Sequence, residues 1–454
     1  MTDVTRTLAE FALNLTYNEI PKEVIDHAKT CLLDLFGSAF AAIGRPISTA
    51  AATFSEAASG AGRSTRWDTG KKTTLLSATW LNSILGSAID IDDGHRLAVG
   101  HPGSSIIPAT VAVAERKNLK GQQLLEGVIA GYEVGIRVSA SRDPQQIENV
   151  ATGAWGGFGA ASGVSKLLCD KVGAIENAFG LAAMYSPRLP GTFPGGRGMV
   201  KEGIAWAAVT GVSAAFLAQS GFTGPRDVFD HLPLYRPERL LQGLGSDFLI
   251  RQTYFKRYPC CRWLHPIIEG CLALMEDGDF RVSHIRRIHI QTFSRAFGLP
   301  NRARPESLEE AQYSIPFCSA LAIVKRDKGF YHITMEDLID STVISLAEKV
   351  IVERDPAFDE EFPVKIASKV TFETSEGKIE KVASSVKGDP DNPFSAEELE
   401  EKYLHYASPV LGDKRAIRLK EHLKSLEDVS VEEIMKILHS IGNHPSTRTG
   451  RRRR

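Results

Sequence analysis

The 454-residue chain is 43% hydrophobic and 24% charged, and its 54 Lys and Arg against 55 Asp and Glu leave a formal net charge of -1. That balance removes any general electrostatic reason to hold nucleic acid or an anionic membrane, and no apolar run approaches the ~20 residues of a membrane span. The length exceeds what one ordinary core fills and implies two or three domains.

The N-terminal stretch is amphipathic and carries acidic residues, unlike a basic-apolar leader. Residues 21–44, "PKEVIDHAKTCLLDLFGSAFAAIG", place Val24, Ala28, Cys31, Leu32, Leu35, Ala39 and Ala42 at helical spacing, with Pro21 near the start and Gly44 near the end. Further Ala- and Gly-rich helical stretches follow to about residue 220, whose small side chains allow close helix packing. After about Asp247 the pattern changes. Residues 285–293 alternate like a strand, and 364–386 read as a hairpin turning at Ser375 to Lys378. "GDPDNP" at 388–393 reads as a turn-rich linker, and Ser395 with Glu398 has the spacing of a capping box opening a helical tail.

The fold class expected is mainly α: a large all-helical domain over 1–250, to which 395–445 return, and a smaller α+β lid domain over 251–394. Residues 446–454, ending in Arg451 to Arg454, read as a disordered basic tail. The six cysteines, at 31, 169, 260, 261, 271 and 318, show no zinc-ribbon spacing and suit free thiols in a reducing, cytoplasmic setting.

Three stretches could carry chemistry. "DIDDGHRLAVGHPGSS", from Asp90 to Ser105, gathers Asp90, Asp92, Asp93, His95 and His101 beside apolar sequence. Ser104 and Ser105 could cap the following helix, whose N-terminus would favour an anion. The plain alternative makes Asp92 and Asp93 solvated loop residues and His101 a turn histidine. "GTFPGGRGMVKEGIAWAA", 191–208, brings Arg197 and Lys201 to a helix start, suited to carboxylate or phosphate but lacking the P-loop spacing. The alternative is a flexible loop with surface cations. "YFKRYPCCRWLHP", 254–266, interleaves Lys256, Arg257, Arg262 and His265 with aromatics. It reads as the lining of a cleft with acid–base groups, or as a weak nucleic-acid patch that the neutral charge opposes. A metal finds no second ligand pair at sensible spacing. Around Tyr313 to Phe317 the sequence reads mainly as core, with Tyr313 or Ser314 able to reach a ligand.

The first stretch, together with 199–225, "FKRYPCCRWLH" (255–265), "YSIPF" (313–317) and the N-terminal helix, resembles the MmgE/PrpD family over nearly the whole chain. The resemblance implies an active site between a helical domain and a lid, polycarboxylate substrates, a homodimer, and, for the decarboxylase and epimerase members, no metal or organic cofactor. Carried over by motif, it implies that Asp90, Asp93, His101, Lys201, Lys256 and His265 meet in one cleft. The chemistry of an α-proton transfer there assigns His101 as general base, oriented by Asp90 or Asp93. Lys201, Lys256 and Arg197 would clamp carboxylates, and His95, Ser104 and His265 would line the substrate. Two departures stand out: Val150 occupies the place of a family histidine, and Phe317 that of a decarboxylase tyrosine. The function expected is dehydration of a citrate-like polycarboxylate such as 2-methylcitrate. The alternatives are epimerisation of a dicarboxylate such as iminodisuccinate and, less favoured, decarboxylation of cis-aconitate. A binding protein that has lost catalysis would show carboxylate binding without turnover.

Overall fold

The computed structural model describes residues 3–142, 151–187, 198–231, 235–277, 281–326, 330–439 and 441. The expected tail at 446–454, Arg197 and Val150 lie outside them. The architecture is mainly α with a smaller α+β part, as expected: 61% helix, 19 α-helices among the described residues, and few small sheets.

Helix Lys22–Ala42 shows why the first part folds as it does. The expected stripe is buried, but so are Leu33, Phe36, Gly37 and Phe40 on other faces, because this helix is surrounded on several sides. Close packing on small residues is realised between helices Gly121–Ala140 and Gly156–Leu168. A Cβ on Gly159 would stand 2.9 Å from the Gly131 carbonyl, and one on Gly163 would stand 2.5 Å from that of Gly127. The two backbones touch where any side chain would hold them apart.

One continuous core runs from Val4 to Phe255 and takes in Tyr403 to Ile441, so the helices Ala396–Leu411, Asp413–Lys424 and Val431–Ile437 pack on the N-terminal helices. A second core spans Tyr258 to Phe372, where helices His265–Asp277 and Ile315–Lys325 accompany a four-stranded sheet. In it Val350–Arg354 runs parallel to Ile285–Thr292, which pairs antiparallel with Ser368–Thr374, and that strand with Lys378–Ala383.

The changeover between cores falls between Phe255 and Tyr258 rather than at 250. The reason is local: Thr253–Tyr254 pairs antiparallel with Gly94–His95 and so stays with the first core. The capping box forms, with the Glu398 N–H donating to Ser395 Oγ (3.2 Å) and the Ser395 N–H to Glu398 Oε2 (2.7 Å). Residues 388–393 are a turn but no loose linker. Asp389 is fully buried and bridges Arg96 and Arg262, while the Phe255 N–H donates to the Gly388 carbonyl at 3.0 Å.

Candidate active site

The connection from helix Leu75–Ser87 to helix Pro102–Arg116 carries Asp90 in the left-handed region, at φ 59°. Such a conformation costs on the order of 1–3 kcal/mol and persists only where its surroundings impose it. Here they do. Lys201 Nζ donates to Asp90 Oδ1 at 2.9 Å, and Lys256 Nζ to Oδ2 at 2.9 Å and to the Asp90 carbonyl at 3.0 Å. Lys201 Nζ also donates to Gln312 Oε1 (3.0 Å) and lies 3.4 Å from the Tyr313 hydroxyl, which is 3.3 Å from Asp90 Oδ1. The cluster therefore sits on the seam: Asp90 and Lys201 come from the helical part, Lys256 from the changeover, and Gln312 and Tyr313 from the turn before helix Ile315–Lys325 of the second core.

Lys201 opens a run of three left-handed residues, with φ 43° at Lys201, 59° at Glu202 and 73° at Gly203. Glu202 Oε2 fastens that turn by accepting from the Thr152 N–H (2.9 Å) and Oγ1–H (3.0 Å). Thr152 Oγ1 in turn accepts the His101 N–H at 3.0 Å, which ties the Lys201 turn to His101.

His101 is the N-cap residue of helix Pro102–Arg116. Its Nδ1 lies 3.2 Å from Asp92 Oδ2, and its Nε2 lies 3.9 Å from Asp90 Oδ1. Ser104 Oγ donates to the same Asp92 oxygen. Burial alone would raise the Asp90 pKa, but Lys201 and Lys256 outweigh it and hold the carboxyl below the usual range. Asp92 is also held low, its burial outweighed by His101. For His101 burial acts downward, yet the Asp92 carboxylate prevails and raises the imidazole above 6.5.

The expected residues part company here. The imidazole of His101 meets Asp92, which could have been a solvated loop residue, rather than Asp93. Asp93 turns the other way, accepting from the Gly103 N–H (3.0 Å) and the Tyr132 hydroxyl (2.6 Å), and burial pushes its pKa up to about 7. Asp93 therefore occupies the helix N-terminus expected to attract an anion. Ser104 and Ser105 do not cap that helix; Ser105 Oγ donates to the Pro102 carbonyl within its first turn. His95 accepts from the Ala98 N–H (3.3 Å) and faces the Leu249 carbonyl (3.2 Å), and burial lowers it to about 4. His265 Nδ1 receives Arg262 Nη1 at 3.0 Å, and its Nε2 faces the Cys260 carbonyl at 3.3 Å. Because arginine only donates, His265 is the neutral Nε2–H tautomer, and burial keeps it well below its ordinary value.

Phe317 lies in the second core, and the phenol at the cluster is Tyr313 instead. The loss expected from Phe317 therefore does not strip the cluster of a hydroxyl. Gln312 and Thr152 carried no signal in the sequence, since neutral side chains in apolar stretches announce nothing about their partners.

Oxygen and nitrogen atoms of Asp90, Asp92 and His101 lie within 4.8 Å of one another, close enough to share an ion. Both Asp90 oxygens already face ammonium groups at 2.9 Å, so a divalent cation would enter against two positive charges. The arrangement suits carboxylate chemistry better: two lysines fixed by one aspartate, and beside them an imidazole whose proton affinity is set by another.

Comparison with known proteins agrees in extent. The MmgE/PrpD N-terminal domain matches residues 6–232 and the MmgE/PrpD C-terminal domain residues 258–428. A cis-aconitate decarboxylase-like protein of Aspergillus oryzae is 26% identical, over 96% of this chain and 97% of its own length. The cis-aconitate decarboxylase of Aspergillus terreus is 26% identical over 94% and 92%, and that of Homo sapiens 25% over 94% and 93%. With both family domains present in order and relatives aligned nearly end to end, the chain belongs to the MmgE/PrpD family.

Proposed function

We propose that the chain is a cofactor-independent lyase that moves a proton at the carbon next to a carboxylate of a small di- or tricarboxylate, with His101 as the proton carrier. One observation carries this reading. Within the cluster the His101 side chain keeps 10% exposure, whereas Asp90, Asp92, Lys201 and Lys256 keep 0–2%, so the imidazole is the edge a substrate can meet.

The leading reaction is dehydration of a citrate-like substrate. Neutral His101 takes the proton α to a carboxylate, and the electron pair passes toward the carboxylate oxygens, where Lys201 and Lys256 supply positive charge. The pair then forms the C=C bond as hydroxide leaves the neighbouring carbon, and the proton on His101 goes to that hydroxide to make water. One imidazole balances the step. Epimerisation draws less support, because it needs a second base on the opposite face. The lysines that could serve, Lys201 and Lys256, both donate to the Asp90 carboxylate.

Decarboxylation of a cis-aconitate-like substrate is the second reading, favoured by the names of the relatives. There protonated His101 would deliver its proton to the carbon that loses carbon dioxide. The six cysteines are free thiols, which suits the cytoplasmic setting expected. The reading includes a homodimer, for which the exposed cluster of Phe54 and Trp206 around Trp80 offers an apolar face.

The test is proton NMR of the purified protein in heavy water with 2-methylcitrate, citrate, cis-aconitate and iminodisuccinate. New vinyl signals from the saturated tricarboxylates support dehydration, and loss of a carboxylate from cis-aconitate supports decarboxylation. Exchange of an α-proton on an unchanged skeleton would replace both with epimerisation. Tight binding without turnover across the panel would overturn the enzymatic reading.

A further inference from the structure

The tripeptide Asp90–Ile91–Asp92 carries both carboxylates of the cluster, and its first two carbonyls are held by lysines from distant parts of the chain. Lys256 Nζ donates to the Asp90 carbonyl at 3.0 Å, and Lys402 Nζ donates to the Ile91 carbonyl at 3.0 Å. Lys402 stands on helix Ala396–Leu411, one of those that return to the first core, and its ammonium also meets Asp34 Oδ1 at 2.6 Å. Its side chain keeps 11% exposure and that of Asp34 1%. Asp90 is left-handed, so the orientation of the two peptides between it and Asp92 decides where the Asp92 carboxylate points. Lys256 holds the carbonyl of the first of these peptides, and Lys402 holds that of the second, which leads directly into Asp92.

We infer that Lys402 is a positioning residue for the proton-transfer site: by holding the Ile91 carbonyl it aims Asp92 at His101 across a left-handed turn. The inference rests on the proposed role of His101. It gives the returning C-terminal helices a part in the chemistry that packing alone would not require. Lys402 does not touch His101, whose charged neighbours are Asp90, Asp92 and Lys256. Its effect therefore has to pass through the backbone of the loop.

The test compares Lys402→Met, Lys402→Arg and Asp34→Asn in the full chain. Turnover of whichever panel substrate reacts is read beside the NMR titration of the His101 imidazole, which needs no substrate. With K402M the His101 titration moves down toward the ordinary value as Asp92 swings away, and turnover falls roughly tenfold or more with KM nearly unchanged. Lys402→Arg restores much of both, because it keeps donors toward the carbonyl. Asp34→Asn leaves the Lys402–Ile91 contact and keeps both readouts near wild type. Should K402M fail to fold, Lys402→Gln, which keeps an amide donor, is compared with D34N on the same two readouts. The inference is overturned if folded K402M titrates and turns over like wild type, or if D34N reproduces the K402M changes, since the ion pair alone would then explain them. Should no panel substrate react, the proposed reaction fails while the titration still decides the role of Lys402.

Discussion

At the scale of single residues, the site is a balance of buried charges, and each partner can be removed in turn. Asp90 is the one counter-charge within 4 Å of either Lys201 or Lys256 among the described residues. Asp90→Asn leaves both buried ammonium groups uncompensated, and loss of about 3–5 kcal/mol in denaturant unfolding is expected. His101 has a raised pKa in the folded state, so its pairing with Asp92 stabilises the fold below the unfolded value near 6.5. That contribution is lost as pH rises through the higher folded value. The same shift separates the two reactions. If His101 works as a base, kcat/KM rises with pH through a value above 6.5. If it works as an acid in decarboxylation, kcat/KM falls through that value. A pH–rate profile on the reacting substrate decides the matter.

At the scale of elements, the reading of the sequence succeeded where one short stretch carries its own signal. The capping box at Ser395, the strand at Ile285–Thr292 and the hairpin of Ser368–Thr374 with Lys378–Ala383 depend on local spacing, and each formed. Asp389 was illegible for the opposite reason: in a turn-rich stretch a carboxylate looks solvated, and its two arginines lie far away in sequence. The turn it occupies fits closely. Gly388 has φ +94°, and a Cβ there would stand 2.0 Å from the Phe255 carbonyl, next to Lys256. Gly388→Ala is expected to destabilise the protein by at least about 1 kcal/mol, read as a lowered denaturation midpoint. Asp93 belongs to this scale too, because it ties the start of helix Pro102–Arg116 to Tyr132 on helix Gly121–Ala140. Its folded pKa of about 7 lies above the unfolded value of 3.8, so the folded state holds a proton the unfolded chain has lost, and the cost in stability builds as pH rises from about 3.8 to 7 and is complete above it. Asp93→Asn keeps the shape and removes the charge. Its Tm should rise relative to wild type at pH 8 and change little at pH 3.5, below the unfolded value.

At the scale of the molecule, two cores meet along a seam, and the charged cluster lies on it. The three stretches singled out in the sequence do converge, through Asp90, Lys201 and Lys256. The family resemblance implied the meeting, but neither it nor the residue types said which carboxylate would face which cation. Asp92 and Asp93 are neighbours of identical type, and only the path of the backbone after left-handed Asp90 sends one to His101 and the other to Tyr132. The apolar face around Trp206, which is 52% exposed, also belongs to this scale. If two copies join there, Trp206→Glu should yield a monomer by light scattering after size exclusion, with the helical content unchanged.

The most direct measurement is the titration of the histidine side chains by carbon-edited NMR in wild type and in Asp92→Asn. Wild-type His101 should titrate above 6.5, and D92N should bring it down once the carboxylate 3.2 Å from Nδ1 becomes neutral. A wild-type His101 that titrates at or below 6.5, or one that Asp92→Asn leaves unmoved, would contradict the assignment of His101 and Asp92 as the proton-transfer pair.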